Sequence, residues 1–362
     1  MTDTDEESDS IIHLKPALFL DYSFNQRGGV HLGYQGDFAY YMENDENDWQ
    51  THKGLFDLNY SAPGGVIVRV KNTYTDAEDP YGNKSEYGVG EITERWNNDL
   101  ETALGFDFGN RFKFLAYFNY YKQDYEQDDD FTQDYKTSEY GVGFQMRFLP
   151  KTWAFFRYHS GERDYFTQGR IAGAVVDVDE SNDADFDYQR ANIGITWDSG
   201  AKLIGELNFG YQWKDYDNTS DVSDNPYDDH DTWIASTSIN YIPYQATYGP
   251  EFSLATLNIR RALRQYGSDS RDYFEETAIG FVLSQALYAK FFIKEGLEFQ
   301  KNKYNNPYDE KSDSIFFNFD VDYKIQDWLS AGAGYRYKTR DSTVDSNDYT
   351  DNQLILTLNA VF

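Results

Sequence analysis

The 362-residue chain has no cysteine, which suits an exported protein that needs no disulfide chemistry. It has no run of about 18 apolar residues, so a transmembrane helix is excluded. Basic residues are scarce, with 32 Lys and Arg against 62 Asp and Glu. The resulting formal charge of −30 disfavours nucleic-acid binding, because it repels phosphate.

Aromatic residues are abundant instead, at 18% of the chain, and 32 of them are tyrosine. The mean hydropathy of −0.75 does not exclude a membrane protein, because a membrane β-strand needs only every second residue to be apolar. Girdles of aromatic residues at two lipid–water interfaces would explain this composition. The alternatives are a soluble acidic β-protein and a disordered acidic chain, and so many aromatic side chains argue against disorder.

The last residues of the chain alternate strictly, and a period of two predicts a β-strand. One face would carry Leu354, Leu356, Leu358, Ala360 and the terminal Phe362. A closing strand that stops on an aromatic residue resembles the last strand of bacterial outer-membrane β-barrels. That resemblance implies that Leu354, Leu356, Leu358 and Phe362 act as the assembly signal.

Alternating segments recur every 15 to 25 residues. In residues 203–214, Leu207, Phe209 and Tyr211 share one face, and Glu206 and Lys214 share the other. In a wide membrane barrel the apolar face points to lipid and the polar face lines the lumen. We therefore predict that Phe209 and Phe317 face lipid.

The connections between these segments alternate in length. Short ones, at 61–65, 109–111, 149–152, 199–202 and 326–328, are typical of periplasmic turns. Long ones, rich in Asp, Asn, Ser and Gly, are typical of extracellular loops; they lie at 77–90, 127–134, 167–185, 217–230 and 305–312. This rhythm favours a membrane barrel over a β-sandwich.

The pattern predicts an all-β fold, an antiparallel transmembrane β-barrel with about seventeen visible strands. Bacterial single-chain barrels have even strand numbers. We favour an eighteen-stranded parent whose first strand is absent, and sixteen strands is the competing count. Residues 1–10 would be an acidic polar segment and residues 11–362 a single barrel domain. Because residues 1–10 are not a signal peptide, we expect a removed signal replaced by an initiator Met, or numbering that begins inside the mature chain.

The predicted lumen face carries charges of both signs. Its residues are Arg69, Lys71, Asp99, Glu101, Glu206, Lys214, Arg260, Arg264, Lys290, Lys294, Glu298, Asp320, Asp322, Arg336 and Lys338. We expect Asp320 and Asp322 to lie between Lys290/Lys294 and Arg336/Lys338. Ion-pair ladders across neighbouring strands are the favoured interpretation. The alternative is a transverse field that selects solutes.

The acidic loops allow two interpretations, a solvated surface or divalent-cation sites that bridge to lipopolysaccharide phosphates. The carboxylates concerned are at 128–130, 177, 179, 180 and 221–229. The five histidines are scattered without ligand spacing, and the chain has no G-x-S-x-G element of a serine hydrolase. We expect no enzyme activity, no metal site on histidine and no cofactor.

Three short segments resemble a known family. They are the tyrosine-rich and basic stretch 335–342, the Asp-Tyr-x-x-Asn step at 348–352, and residues 11–18, which are similar to that family's second strand. The family is the outer-membrane β-barrel porins associated with exopolysaccharide gene clusters. The resemblance implies an outer-membrane channel for polysaccharide export and transfers no catalytic residue.

The predicted function is an outer-membrane conduit for exopolysaccharide. One alternative is a general or cation-preferring diffusion porin. The other is a barrel that sheathes a partner protein such as a cytochrome, whose haem would come from the partner because this chain has no C-x-x-C-H signature. Expected partners are outer-membrane lipid and lipopolysaccharide, the barrel assembly machinery and periplasmic polysaccharide-export components.

Overall fold

In the part of the chain that the structure describes, eighteen strands form one antiparallel β-sheet and two more form a separate hairpin. The computed structural model describes residues 9–24, 27–79, 93–126, 134–165, 168–171, 174–177, 184–197, 202–220, 226–245, 252–265, 273–304, 310–344 and 347–361. Within these ranges, no helix has the length and apolar character needed to cross a membrane.

Most strands are 12 to 16 residues long. They are β1 (Ile11–Leu14), β2 (Ala17–Ser23), β3 (Gly28–Tyr41), β4 (Trp49–Ser61), β5 (Val66–Asp79), β6 (Thr93–Phe108), β7 (Phe112–Tyr125), β8 (Tyr135–Leu149), β9 (Thr152–Tyr165), β10 (Gln168–Ile171), β11 (Ala174–Asp177), β12 (Phe186–Trp197), β13 (Leu203–Tyr216), β14 (His230–Gln245), β15 (Phe252–Gln265), β16 (Tyr273–Leu287), β17 (Phe291–Tyr304), β18 (Lys311–Gln326), β19 (Leu329–Ser342) and β20 (Tyr349–Ala360).

The strands pair in chain order, so the sheet is a meander. β9 pairs with β12, and the hairpin β10–β11 between them forms a separate two-stranded sheet. β1 and β2 both pair with β3 and form a single pass. Lys15 and Pro16 separate them, since proline has no N–H to donate to the ladder. Among the described residues, the eighteen strands of the large sheet, with one divided pass, give seventeen passes, which is the number counted from the sequence.

The two edge passes, β1/β2 and β20, differ from the passes between them. Among the described residues each pairs with one neighbour only, β3 or β19. Leu18 on β2 is 74% exposed and Leu356 on β20 is 79% exposed. The strands at the two edges run in the same direction, from the end of the sheet with the long connections to the end with the short turns. Antiparallel pairing of the two edges into a closed barrel would therefore need one further strand between them, running in the opposite direction. The eighteen-stranded parent stays a prediction.

The predicted connections differ in detail from those of the structure. β4 begins at Trp49 rather than near Leu55, because residues 49–54 pair with β3 although their apolar alternation is weak. β5 runs to Asp79, so the loop predicted at 77–90 begins later. The predicted long loop 167–185 contains the hairpin β10–β11.

Two tight hairpin turns have two consecutive residues at positive φ, as type I′ turns require. Gly109 and Asn110, between β6 and β7, have φ of 66° and 63°. Tyr288 and Ala289, between β16 and β17, have φ of 51° and 57°. Glycine and asparagine suit this backbone, whereas tyrosine and alanine adopt it at a steric cost.

Candidate functional site: the polar face of the sheet

The two faces of the sheet have opposite compositions. The apolar face exposes large hydrophobic side chains, among them Phe209 at 53%, Phe281 at 49% and Phe317 at 37%. Its aromatic residues also stack across strands, as Phe209 does on Trp233 with ring centroids 5.8 Å apart. The opposite face, called here the polar face, carries acids, bases, amides and hydroxyls. Side chains alternate between the two faces because the strand period is two.

Nearly all of the sequence-predicted lumen residues share the polar face. These are Arg69, Lys71, Asp99, Glu101, Glu206, Lys214, Arg260, Arg264, Lys294, Glu298, Asp320, Asp322, Arg336 and Lys338. Lys290 lies instead in the turn between β16 and β17, because the left-handed pair Tyr288–Ala289 closes the hairpin there. That the polar face lines a lumen stays a prediction.

Several of these residues form ion pairs across strands. Lys71 Nζ lies 2.8 Å from Glu101 Oε1, and Arg336 Nη1 lies 2.7 Å from Asp320 Oδ1. Lys294 lies opposite Asp320 in the register of β17 and β18, whereas the residue opposite Asp322 is Phe292. Of the ion pairs predicted around Asp320, the one with Arg336 on β19 is therefore present. Lys290 lies in a turn and does not take part.

A third ion pair reaches across an intervening strand. Arg157 on β9 donates two hydrogen bonds to Glu206 on β13, from Nη1 at 2.8 Å and from Nη2 at 2.7 Å. β12 lies between these two strands. The two-pronged geometry holds both side chains against the wall, since such bonds fix orientation as well as distance.

Sequence reasoning missed a buried acid network that is centred on Glu139 of β8. Glu139 is 3% exposed and accepts hydrogen bonds from Asn119 Nδ2 at 2.8 Å, Tyr188 Oη at 3.0 Å and Arg190. His159 Nδ1 lies 3.0 Å away. Gly141 leaves room for that imidazole, because a Cβ there would lie 2.6 Å from His159 Nδ1. The only signal in the sequence was that the alternation of β8 places Glu139 on the polar face.

Two further acids are also surrounded by donors. Glu276, 2% exposed, is paired with Arg260, and Gln300 Nε2 lies 3.3 Å from its carboxylate. Glu310, 4% exposed, accepts from Arg340 Nη2 at 2.7 Å and from Ser342 Oγ at 2.6 Å. Burial of these carboxylates is tolerable because each is paired and hydrogen-bonded.

Aromatic rings on the polar face gather near the long connections. Tyr135 contacts both Tyr121 and Tyr165, with centroid distances of 5.4 and 5.5 Å. Lys214 is 1% exposed, and its ammonium lies 3.9 Å from the Phe186 ring and 4.0 Å from the Tyr216 ring. It also donates to Tyr216 Oη at 2.6 Å. Cation–π contacts of this kind allow a lysine to be buried among aromatic rings.

The remaining sequence predictions divide between described and undescribed residues. Leu354, Leu356 and Leu358 lie on the apolar face of β20, opposite Tyr335, Ala333 and Ala331. Phe362 lies outside the described residues, and so do the acids at 128–130, 179, 180 and 221–225. In the described part of the chain, no group of three His, Cys, Asp or Glu side chains is placed to hold a metal ion.

A long antiparallel meander with one apolar and one polar face is the architecture of an outer-membrane β-barrel. The chain belongs to the family described as "Putative beta-barrel porin 2", whose model matches residues 1–362. It is a protein of the bacterial outer membrane with a porin-like and transporter-like fold. None of the curated proteins compared matches this sequence.

Solved structures with a similar fold are outer-membrane transporters. "Copper transporter OprC" matches with a TM-score of 0.50 and 11% identity, over 98% of this chain and 65% of that one. The FrpB iron transporter from Neisseria meningitidis matches with a TM-score of 0.48 and 12% identity, over 93% of this chain and 62% of that one. This chain therefore spans less than two thirds of the length of either structure.

Proposed function

We propose that the protein is a passive outer-membrane conduit whose lumen is lined by the polar face, and that its cargo is an exopolysaccharide leaving the cell. The observation that supports this most is the pairing of wall charges. Opposite charges meet on β5–β6, β9–β13, β15–β16 and β18–β19. Where wall charges are paired at close range the transverse field is weak, which suits a bulky neutral or weakly charged polymer.

The aromatic residues of the polar face support the same cargo. Tyr121, Tyr135 and Tyr216 are only half-buried, and each presents an apolar ring with a polar hydroxyl. A sugar ring also has apolar C–H faces and a polar rim, so it can stack on tyrosine and exchange hydrogen bonds with neighbouring amides and acids. Passage of a polymer needs many weak contacts of this kind and no single tight one.

The proposal is tested by deleting the gene in its native host. Polysaccharide should accumulate in the periplasm and disappear from the cell surface, and plasmid-borne wild-type protein should restore export. A variant with Arg157→Gln and Glu206→Gln leaves no lone charge on the wall, so it should also restore export. Unchanged surface polysaccharide in the deletion strain would contradict the proposal. In this setting periplasmic export components, lipopolysaccharide and the barrel assembly machinery are the proposed partners.

A second candidate is a cation-preferring diffusion porin. It is favoured by the acids at the long-connection end, where Asp215, Asp228, Asp229 and Asp231 lie close together in sequence, and by the formal charge of −30. Acids at a mouth concentrate cations there. The reversal potential across a planar bilayer under a salt gradient separates the two candidates. A strong cation preference, together with intact polysaccharide export in the deletion strain, would favour the porin.

A further inference from the structure

A groove of about 540 Å³ lies on the apolar face at the short-turn end, beside the edge strand β2. Its lining side chains come from β2, β4, β5 and the residues that follow β2; they include Tyr22, Phe24, Leu58, Tyr60 and Val68. Phe24 makes edge-to-face contacts with Tyr22 and Tyr60, with ring centroids 5.3 and 6.3 Å apart. The rings are thus fixed against each other and form a preformed apolar wall.

Arg27 lies at the rim of this groove and is exposed. Its backbone is held in place, because its N–H donates to Phe24 O at 2.8 Å and its carbonyl accepts from Ser61 N at 2.7 Å. In the described part of the chain, no carboxylate lies within 4.0 Å of its guanidinium. Its guanidinium can therefore take an anion from outside the protein.

The apolar face of a membrane barrel contacts lipid, and short turns of bacterial barrels lie at the periplasmic surface. The lipid of that leaflet is glycerophospholipid, which has acyl chains and a phosphate. We propose that this groove is a binding site for one glycerophospholipid, with an acyl chain against Leu58 and Val68 and the phosphate on Arg27. Guanidinium groups suit phosphate because they donate two parallel hydrogen bonds.

The test is native mass spectrometry of the full chain, released from detergent micelles that contain phosphatidylglycerol. The wild type should retain one tightly bound lipid. Arg27→Gln should bind it about tenfold more weakly, as expected for the loss of a charge-assisted hydrogen bond. Lys202→Gln is the matched control, because Lys202 is another exposed cation at the same end but lines no part of the groove. It should bind lipid as the wild type does.

A second variant tests the apolar part of the site. Leu58→Trp fills the groove, so it should expel the lipid while the variant still folds as a barrel by circular dichroism. Binding that is equal in Arg27→Gln, Leu58→Trp and the wild type would overturn the proposal. Retention of lipopolysaccharide but not phosphatidylglycerol would also overturn it, since the groove would then lie in the other leaflet. Binding of glycerol phosphate alone, unaffected by Leu58→Trp, would contradict a lipid site.

Discussion

The two faces of the sheet place charge and hydrophobicity in opposite ways. On the apolar face Phe209 and Phe281 are about half exposed, at 53% and 49%. On the polar face the acids Glu139 and Glu276 are 3% and 2% exposed. A water-soluble protein shows the reverse. The difference teaches that the bilayer solvates one face, whereas the other is held by ion pairs and hydrogen bonds between its own side chains.

The largest expected effect comes from placing a charge on the apolar face. Phe317→Arg should lower the free energy of unfolding by about 2–4 kcal/mol, the cost of an arginine on the lipid face near the bilayer midplane. Asn318→Arg, one residue along on the polar face, is the control and should cost far less. Unfolding in lipid vesicles by denaturant titration measures both. A larger cost for Asn318→Arg than for Phe317→Arg would mean that the faces are assigned one residue out of register, and equal costs would contradict the assignment of a lipid face.

A smaller loss is expected from breaking the buried network of the polar face. Glu139→Gln removes the charge that His159 and Arg190 contact, and it should lower the free energy of unfolding by about 1–3 kcal/mol. Asp313→Asn is the control, because Asp313 is 69% exposed and its 3.4 Å pair with Lys301 is an exposed one. Such pairs contribute about 0–1 kcal/mol. A Glu139→Gln barrel as stable as the control would show that the network is not stabilising.

Ion selectivity tests, with a smaller expected effect, whether the ion pairs of the polar face line the lumen. Arg336→Gln leaves Asp320 without its 2.7 Å partner, so the channel should become more cation-preferring in planar bilayers. The shift should fade as the Debye length falls from about 10 Å at 0.1 M salt to about 3 Å at 1 M. Lys301→Gln, on the apolar face, should leave the reversal potential unchanged. No shift in Arg336→Gln would argue against a lumen lined by the polar face.

The smallest effect is expected on the local order of residues 42–44, which the carboxylate of Asp9 contacts. Asp9 precedes β1 and belongs to neither face. Its slight desolvation raises the pKa, but hydrogen bonds from the backbone N–H groups of Asn44, Ser10, Glu43 and Met42 outweigh it and bring the pKa below 3.8. A lowered pKa means that the contact is present above pH 3.8 and is lost as pH falls through the folded-state pKa.

Hydrogen exchange of residues 42–44 should therefore quicken under acid conditions in the wild type. In Asp9→Asn it should be faster than in the wild type at neutral pH and should show little added acid dependence. Equal protection in both proteins at neutral pH would contradict a role for the carboxylate in ordering this connection.

Much of the fold could be predicted from alternation and turn residues. The starts of β5, β7 and β19 at Val66, Phe112 and Leu329 agree with the sequence pattern, because each follows a turn with clear Gly, Asn or Asp signals. Parity alone placed Asp320 and Arg336 on one face. The predicted start of β4, near Leu55, was wrong because residues 49–54 are mostly polar and are held in the strand by pairing with β3.

The partners within the polar face could not be predicted. Arg157 and Glu206 are 49 residues apart and meet across an intervening strand, so no local spacing links them. Glu139 and Arg190 are 51 residues apart. Lys290 was assigned to a strand because the residues that close its hairpin, Tyr288 and Ala289, are not typical turn formers.

The Glu139 network has a consequence for how the barrel is assembled. Its carboxylate joins side chains from β7, β8, β9 and β12, so its contacts exist only when all four strands are in register. A slip of one residue would turn a strand's polar-face side chains toward lipid. The mispaired intermediate would then carry an arginine or a glutamate into hydrocarbon, at high cost. Burial of these charges is therefore tied to the correct register of all four strands.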